Sequence, residues 1–336
     1  MLPSLTLKLI NSLTFPLSNY KILYFCAPYL LYFTAIKTVT TSEQQKTGTP
    51  ALAWFLVIIL ALIWGTSFIL IKKGLVVYTS DELGAWRITI ACLTLLPFAI
   101  KHIRQAEPRH WKFLLGSGLL GNLIPAFLFA YAETRLASGL AGVLNSLTAL
   151  FTLLVGAVFF HQAITWMRML GIIIGIAGTS VLIFSGGENT NMENTMYGLY
   201  IVLACICYGG SVNIIKHKLQ GLKPFVMSSL ALLTVGPMAL VYLLTTDALN
   251  KLQHTPGAWE ALMYIAILAV FSTAVGLVLF NKLIHISTTL FASSSTYLIP
   301  IVALMWGVLD GETIHLWHYV GMVIILVGVF IVNRAK

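Results

Sequence analysis

Few polar side chains interrupt the long apolar stretches of this chain, and those few are the candidates for binding chemistry. Arg87 is the only charged residue that falls clearly inside such a stretch, in the segment WRITIA. A charge is costly to hold in apolar surroundings, so Arg87 is a candidate handle for a ligand carboxylate or a gating partner. Alternatively, it lies near the end of its stretch, and its long side chain extends to the polar surface there.

Eight further side chains within the apolar stretches offer hydrogen bonds or aromatic faces. They are Trp64, Ser67, Asn122, Asn145, Tyr208, Ser211, Ser295 and Tyr297. An asparagine amide both donates and accepts hydrogen bonds, which favours a cavity role for Asn145. Ser67 and Ser211 stand near glycines, which favours close helix packing with an interhelical hydrogen bond; a place in a ligand pathway is the alternative. The three aromatic residues could form a wall around a ligand, or could simply pack in the core.

The composition shows in what kind of protein these residues lie. Hydrophobic residues make up 58% of the 336 residues and charged residues 9%, against about 25% charged in a typical soluble domain. The mean hydropathy is +0.90, which leaves little polar surface to show to water. The sequence therefore predicts a multi-pass membrane protein. Its net charge of +9 is better explained by membrane topology than by nucleic-acid binding.

Acidic residues are absent from the middle of the apolar stretches. All eleven fall in polar breaks or near the ends of the stretches, so no central carboxylate is available to relay protons. Coupling to protons would have to use end groups such as Glu133, Glu260, Glu312, His161 or His285. Facilitated diffusion or exchange without such coupling fits the sequence equally well.

Signatures of catalysis and of cofactor binding are missing from the sequence. We find no HExxH pair, no paired intramembrane aspartates, no nucleophile elbow and no Walker A loop. The four cysteines lie in apolar runs, with spacings typical of neither a disulfide framework nor a metal site. The sequence therefore predicts no catalytic residue, no metal and no cofactor, and it indicates no particular oligomeric state.

From Ala51 onward, apolar runs alternate with short polar breaks. A membrane-spanning helix needs about 20 residues, and open strands are not stable in lipid. The predicted fold class is an all-α membrane protein with ten transmembrane helices arranged as two inverted five-helix repeats. The spans are expected near residues 53–71, 83–100, 112–131, 137–160, 169–185, 197–215, 225–245, 259–281, 287–308 and 316–333.

The repeat is visible in the sequence itself. Leu62–Leu75 matches Ile206–Leu219 at a shift of 144 residues, and both carry an aromatic-Gly-x-Ser step and a basic end. A shift of 150 pairs Ile164 with Ile314, Gly171 with Gly321, Gln162 with Glu312 and Gly178 with Gly328. Each half holds five spans, an odd number, so the halves are predicted to insert in opposite orientations. Transporters with inverted repeats usually bind their substrate where the repeats meet and expose it to either side in turn.

These matches divide the chain into three parts. Residues 1–50 form an N-terminal extension and linker, residues 51–190 a first repeat and residues 191–336 a second. Within the extension, residues 22–36 are apolar but short for a span. They are an interfacial helix, an extra span, or an upstream extension without a folded role.

Loop charges predict the orientation, because lysine and arginine are enriched in cytoplasmic loops. With the start of the first span inside, the inner loops and the C-terminal tail hold eleven such residues. The outer loops hold four, Lys72, Lys73, Arg135 and Lys251. We therefore predict a protein of the inner or plasma membrane with both ends of the ten-span core in the cytoplasm. Lys72 and Lys73 run against this trend.

Five segments spread over residues 53–333 carry a family resemblance. They are Trp64–Phe68, Trp86–Ala91, Val143–Phe159, Ser294–Glu312 and Gly321–Val332. In order and spacing they resemble the EamA family of the drug/metabolite transporter superfamily. The resemblance implies export or exchange of small metabolites, such as amino acids, across the inner membrane, with a small molecule and the lipid bilayer as partners.

Two positions depart from the pattern of that family. A proline in the fourth helix and an acidic residue at its end are usual; the second half has Pro300 and Glu312, but the first half has Leu150 and Gln162. The resemblance therefore does not imply a symmetric acidic pair. The alternative function is a membrane-embedded protein without transport activity, an enzyme or an assembly factor. The duplicated half and the missing catalytic motifs favour transport.

Overall fold

The computed structural model describes residues 50–184, 192–287, 295–312 and 316–334, which form helices and short connections without a β-strand. Ten helical segments follow one another in these residues, numbered here α1 to α10. They are α1 Pro50–Gly74, α2 Ser80–His102, α3 Pro108–Glu133, α4 Ser138–Phe160, α5 Trp166–Phe184, α6 Met192–Lys218, α7 Pro224–Leu244, α8 in the consecutive pieces Ala258–Ile267, Leu268–Val275 and Gly276–Ile286, α9 Ser295–Leu309 and α10 Leu316–Arg334. A short helix, Ala248–His254, precedes α8.

These helices correspond to the ten predicted spans. Seven of the described helices are long and apolar enough to cross a membrane, while α5, α9 and α10 are shorter apolar helices. Several boundaries differ by a few residues. α6 begins at Met192 instead of 197, and the described part of α9 begins at Ser295 instead of 287. α8 continues to Ile286 instead of ending at 281, because the exposed Lys282 lies on the helix surface and does not interrupt it. The predictions for residues 1–50, including the apolar run 22–36, lie outside the described residues.

Local sequence explains where several helices begin and end. Thr79 and Glu82 form a capping box at the start of α2, in which each side chain accepts a hydrogen bond from the other residue's backbone N–H. Pro108 and Pro224 stand in the first turns of α3 and α7, where a missing N–H costs nothing. His161 adopts a left-handed conformation and ends α4.

The two halves of the bundle exchange equivalent contacts. α1 packs on α8 and α9, and α6 packs on α3 and α4 in the same way. α2 packs on α7, and α5 packs on α10. If each helix of α1–α5 is exchanged with its counterpart in α6–α10, the contacts of α1 become those of α6, and the α2–α7 and α5–α10 contacts are unchanged. The predicted fold class, two inverted five-helix repeats in an all-α membrane protein, is confirmed.

The glycine of the repeated aromatic-Gly-x-Ser step allows two of these contacts. A Cβ added at Gly65 would lie 2.5 Å from the Cβ of Val302 in α9. A Cβ added at Gly209 would lie 2.8 Å from the carbonyl oxygen of Phe151 in α4. Only a residue without a side chain lets the helices approach this closely, so the repeated motif sets the distance between each first helix and the opposite half.

Three helices lose regular α-helical geometry near the middle of the bundle. α3 contains a π-helical turn at Leu119–Leu123, and α8 contains one at Leu268–Val275. α4, predicted as one continuous helix, is interrupted between Asn145 and Thr148. Such irregularities widen a helix or free backbone groups, and they are frequent at functional sites. Here they surround one cavity.

Candidate functional site

A cavity of about 210 Å³ lies between the two halves, and side chains of both halves line it. Eight of the nine predicted site residues are in its wall, namely Trp64, Ser67, Arg87, Asn122, Asn145, Tyr208, Ser211 and Ser295. The ninth, Tyr297, is not among the lining residues; it packs against the hydrophobic core. Arg87 is the only charged side chain in the part of the wall that the structure describes. The cavity is otherwise neutral, with hydroxyl, amide and aromatic groups.

Helix α2 holds Arg87 at the cavity wall. The residue follows the start of α2 at Ser80 by seven positions, which is about 10 Å along the axis. Its Nε donates a hydrogen bond of 2.9 Å to the Oγ1 of Thr273, in the π-helical turn of α8. The guanidinium also forms a hydrogen bond with the Tyr208 side chain of α6. A guanidinium carries five N–H donors, and these two contacts occupy only part of that set.

Hydrogen bonds between helices position other polar groups of the wall. Trp64 of α1 donates from its Nε1 to the backbone oxygen of Ser272, at 3.0 Å. Ser211 of α6 donates from its Oγ to the backbone oxygen of Ser117 in α3, at 3.2 Å. The Oγ of Ser272 is buried and has no hydrogen-bond partner within the described ranges. Ser272 itself lines the cavity.

Asn145 lies at the interruption of α4. It is the last residue of the first segment of that helix, and its side chain is half-buried at the cavity. The Oγ1 of Thr148 approaches its Oδ1 at 3.5 Å, which is a weak contact. The interruption therefore presents an amide to the cavity without a strong hydrogen bond between these two side chains.

At one end of the bundle an ionic cluster joins the helices. We name it the latch, and it consists of Lys72, Lys73, Asp310 and Glu312. Lys72 Nζ lies 2.8 Å from Glu312 Oε1 and 3.1 Å from Asp310 Oδ2, and Lys73 Nζ lies 2.6 Å from Asp310 Oδ1. Glu312 also accepts hydrogen bonds at the start of α4, from the N–H and hydroxyl of Ser138 and from the N–H of Gly139. The latch thus ties the end of α1 to the end of α9 and to α4.

The two latch carboxylates are held in their charged forms. Hydrogen bonds from Lys73 and Lys72 lower the pKa of Asp310. Burial raises the pKa of Glu312, but hydrogen bonds from Lys72, Gly139 and Ser138 outweigh that effect, and the pKa lies below its ordinary value. Depressed carboxyl pKa values mean that the latch keeps its full stability above the ordinary carboxyl range, about pH 4–4.5. That stability is lost as the pH falls through the lowered values, so Asp310 and Glu312 themselves do not change charge near neutrality.

The match to a family model shows to which family this chain belongs. The model of the EamA-like transporter family matches the chain twice, at residues 51–184 and at residues 195–334. The chain belongs to the EamA-like transporter family. It is therefore a multi-pass membrane protein of a transporter family, as the resemblance implied.

Individual relatives within and around this family agree with that conclusion. The chain is 27% identical to a "Probable amino-acid metabolite efflux pump" of Salmonella typhimurium over 289 residues, covering 82% of this chain and 93% of the relative. It is 24% identical to a "Probable terminal-alkyne amino-acid exporter" of Streptantibioticus cattleyicolor, covering 84% and 93%. It is 25% identical to an uncharacterised inner membrane transporter of Escherichia coli K12, covering 82% and 89%.

A solved structure shows the same fold. A crystal structure with 16% sequence identity superposes with a TM-score of 0.55, covering 83% of this chain and 95% of the other. At this level of identity the likeness concerns the fold alone.

At the other end of this EamA-like transporter, the described residues form no ionic cluster at the position that corresponds to Glu312. Gln162 stands there, and its Nε2 donates to Asn213 Oδ1 at 2.9 Å and lies 2.8 Å from His217 Nε2. Asn213 in turn donates to the backbone oxygen of Thr152 in α4. The departure from the family pattern at Gln162 thus has a structural consequence. An ionic latch closes one end, while neutral hydrogen bonds join α4 and α6 at the other.

The predicted coupling groups lie in different surroundings. Glu260 and His161 are exposed, and Glu312 belongs to the latch. The side chain of His285 lies outside the described residues. Glu133 is buried at the end of α3, with 5% of its surface exposed. Among the candidate coupling groups whose side chains the structure describes, only Glu133 and Glu312 are therefore buried or partly buried.

Some lining residues were not predicted. Ser272, Thr273, Thr148 and Thr152 line the cavity, yet serine and threonine are common in membrane helices and do not stand out in a sequence. One available signal was the repeat, because the shift of 150 that pairs Gly171 with Gly321 also places Ser272 opposite Asn122.

Proposed function

We propose that this protein is a secondary exporter or exchanger of small metabolites that carry a carboxylate, amino acids among them. One observation carries the proposal: Arg87 is the single charged group in the described wall of a cavity that is otherwise neutral. The names of the two amino-acid exporters among its relatives support the same substrate class. No carboxylate in the described wall competes with a substrate for the guanidinium.

The cavity offers a group for each part of such a substrate. The carboxylate would accept hydrogen bonds from the free N–H donors of Arg87, since charge-assisted pairs of this kind are the strongest hydrogen bonds. The Oγ of Ser272 adds a further donor beside it. An ammonium group would lie against the aromatic faces of Trp64 and Tyr208, and the amide of Asn145 can donate or accept.

Transport would proceed by alternating access, with residues 51–190 and 191–336 moving against each other around the cavity. In the observed conformation the latch blocks one end. The cavity wall also includes Met227 and Asn281, which lie near the start of α7 and the end of α8, toward the other end of the bundle. Under the proposed orientation the latch faces outward, so the observed conformation would load its substrate from the cytoplasm.

The substrate class is tested by reconstitution. We expect purified protein in liposomes to exchange radiolabelled amino acids for unlabelled ones, and to move their decarboxylated amines more slowly. Nucleosides and neutral sugars serve as controls that lack the carboxylate. Exchange of none of these solutes, or equal movement of amino acids and amines, would contradict the proposed function.

The orientation is tested by fusions at two sites. With the core ends in the cytoplasm, a green fluorescent protein at the C-terminus is expected to fluoresce and an alkaline phosphatase there to be inactive. A phosphatase fused after residue 190, between the repeats, is expected to be active. The reverse pattern would place the latch on the cytoplasmic side.

A further inference from the structure

Glu133 is a buried carboxyl group without a hydrogen bond. It is the last residue of α3, its exposed fraction is 5%, and neither carboxyl oxygen has a partner in the part of the chain that the structure describes. A carboxylate in such surroundings loses its hydration without gaining hydrogen bonds in return, which is energetically unfavourable. A protonated carboxyl group avoids most of that cost because it carries no charge.

The nearby cations offset this burial only in part, because neither of them donates a hydrogen bond to Glu133. The charged residues that act on Glu133 are Arg87 of α2, Lys72 of α1 and Glu312 after α9. Arg87 donates its Nε to Thr273, and Lys72 is bound to Asp310 and Glu312 in the latch. Glu312 is itself a carboxylate and opposes a second negative charge nearby.

Among the described residues of the other elements packed on α3, no acidic or basic side chain is bonded to Glu133. Glu82 of α2 is paired with Lys251. The basic residues of α6, Lys216, His217 and Lys218, are in its last turn, whereas Glu133 ends α3. α4 carries no acidic or basic residue along its whole length, and the one titratable side chain of α7, Tyr242, packs on Phe127. Of the titratable tyrosines of α6, Tyr208 bonds Arg87, and Tyr197 and Tyr200 pack on Tyr131. Glu133 thus has no ion-pair partner among the described residues.

We propose that Glu133 is a proton-binding site whose carboxyl group holds a proton while the latch is closed and releases it when the latch opens. On release, the O–H bond breaks, its electron pair stays on the carboxylate, and the proton goes to water that enters the opened end. Opening also separates Lys72 from Asp310 and Glu312, and the freed ammonium can then pair with the ionised Glu133. Proton binding is independent of any substrate; only its use to drive transport rests on the proposed function.

The proposal predicts a pH-dependent opening that depends on Glu133 alone. A Ser67→Cys reporter in a background without the four native cysteines is labelled with a membrane-impermeant maleimide, in both right-side-out and inverted vesicles. Glu133→Gln mimics the protonated group. The labelling rate from the latch side is measured for the reporter protein with Glu133 and for the reporter protein with Glu133→Gln. The ratio of the first rate to the second is expected to rise with pH, by up to tenfold for each pH unit over which the proton is lost. Taking this ratio cancels the intrinsic pH dependence of the thiol.

A matched variant tests whether removing a different carboxylate at the latch end has the same effect. Glu260 is an exposed acid at the start of α8, and Glu260→Gln is expected to leave the pH dependence unchanged. A labelling ratio between the Glu133 and Glu133→Gln proteins that is constant with pH would overturn the proposal.

A second measurement detects the proton directly and needs no substrate. The infrared difference spectrum of the wild type minus Glu133→Gln, at neutral pH, is expected to contain the carbonyl band of a protonated carboxylic acid. Carboxylate bands in its place would overturn the proposal. If the labelling and infrared results hold while no solute is exchanged in liposomes, the proton site stands and the proposed function fails.

Discussion

Replacing Arg87 with alanine is expected to raise the solute concentration needed for half-maximal transport of an amino acid by about 10- to 150-fold. The reason is the loss of the guanidinium that binds the carboxylate, since a hydrogen bond to a charged group contributes about 1.5–3 kcal/mol. The measurement is exchange in liposomes at a series of concentrations. Arg87→Lys keeps the charge but not the planar fork of donors, so an intermediate value is expected.

Two controls separate binding from folding in the Arg87 experiment. Arg135 is exposed just beyond the end of α3, and Arg135→Ala is expected to transport normally. A substrate amine without a carboxylate should be affected by Arg87→Ala much less than the amino acid. Unchanged transport of the amino acid by folded Arg87→Ala protein would show that Arg87 is only a structural link between α2, α6 and α8.

The second large effect is expected from Glu312→Gln, which removes the central charge of the latch. Glutamine cannot form an ion pair with Lys72. Its NH₂ group replaces one of the two carboxylate oxygens, so the hydrogen bond that Ser138 or Gly139 donates to that oxygen is lost. The Glu312 side chain is 4% exposed but that of Lys72 is 37% exposed, so water screens the pair. We expect a loss of about 1–2 kcal/mol of closed-state stability, which corresponds to about 5- to 30-fold.

The measurement for the latch is the labelling of Ser67→Cys from the latch side. Its rate is expected to rise by the same 5- to 30-fold in Glu312→Gln, with Glu260→Gln as the control at the same end. The increase should be the same at pH 6.5 and 8, because the lowered pKa values keep Asp310 and Glu312 charged in this range. A rate equal to that of the wild type would mean that the latch does not hold this end closed.

Much of the architecture was predictable because a membrane restricts what a chain can do. Apolar runs of the required length become helices, and all ten spans were found in order. The repeat also predicted contacts: the paired Gly65 and Gly209 stand where α1 and α6 approach α9 and α4. Lys72 and Lys73, which run against the loop-charge trend, are explained by their partners Asp310 and Glu312.

The interior of the site was less predictable, for reasons that concern backbone geometry and burial. The π-helical turns of α3 and α8 and the interruption of α4 depend on how neighbouring helices pack, and neither glycine nor proline marks the break after Asn145. The sequence showed Glu133 as an acid near a span end, where water is expected. That its carboxyl group is enclosed without a hydrogen bond to any described residue follows only from the three-dimensional arrangement.

The contact between helices α5 and α10 affects how the two halves can move. The two helices pack extensively on each other. A Cβ added at Gly171 would lie 2.7 Å from the carbonyl oxygen of Gly328, and a Cβ added at Gly328 would lie 2.6 Å from the carbonyl oxygen of Gly171. Neither helix contributes to the described wall of the cavity. Two backbones in direct contact have no intervening side chains to compress or repack. The α5–α10 seam is thus suited to serve as a pivot, about which the rest of each half swings while the substrate stays in place.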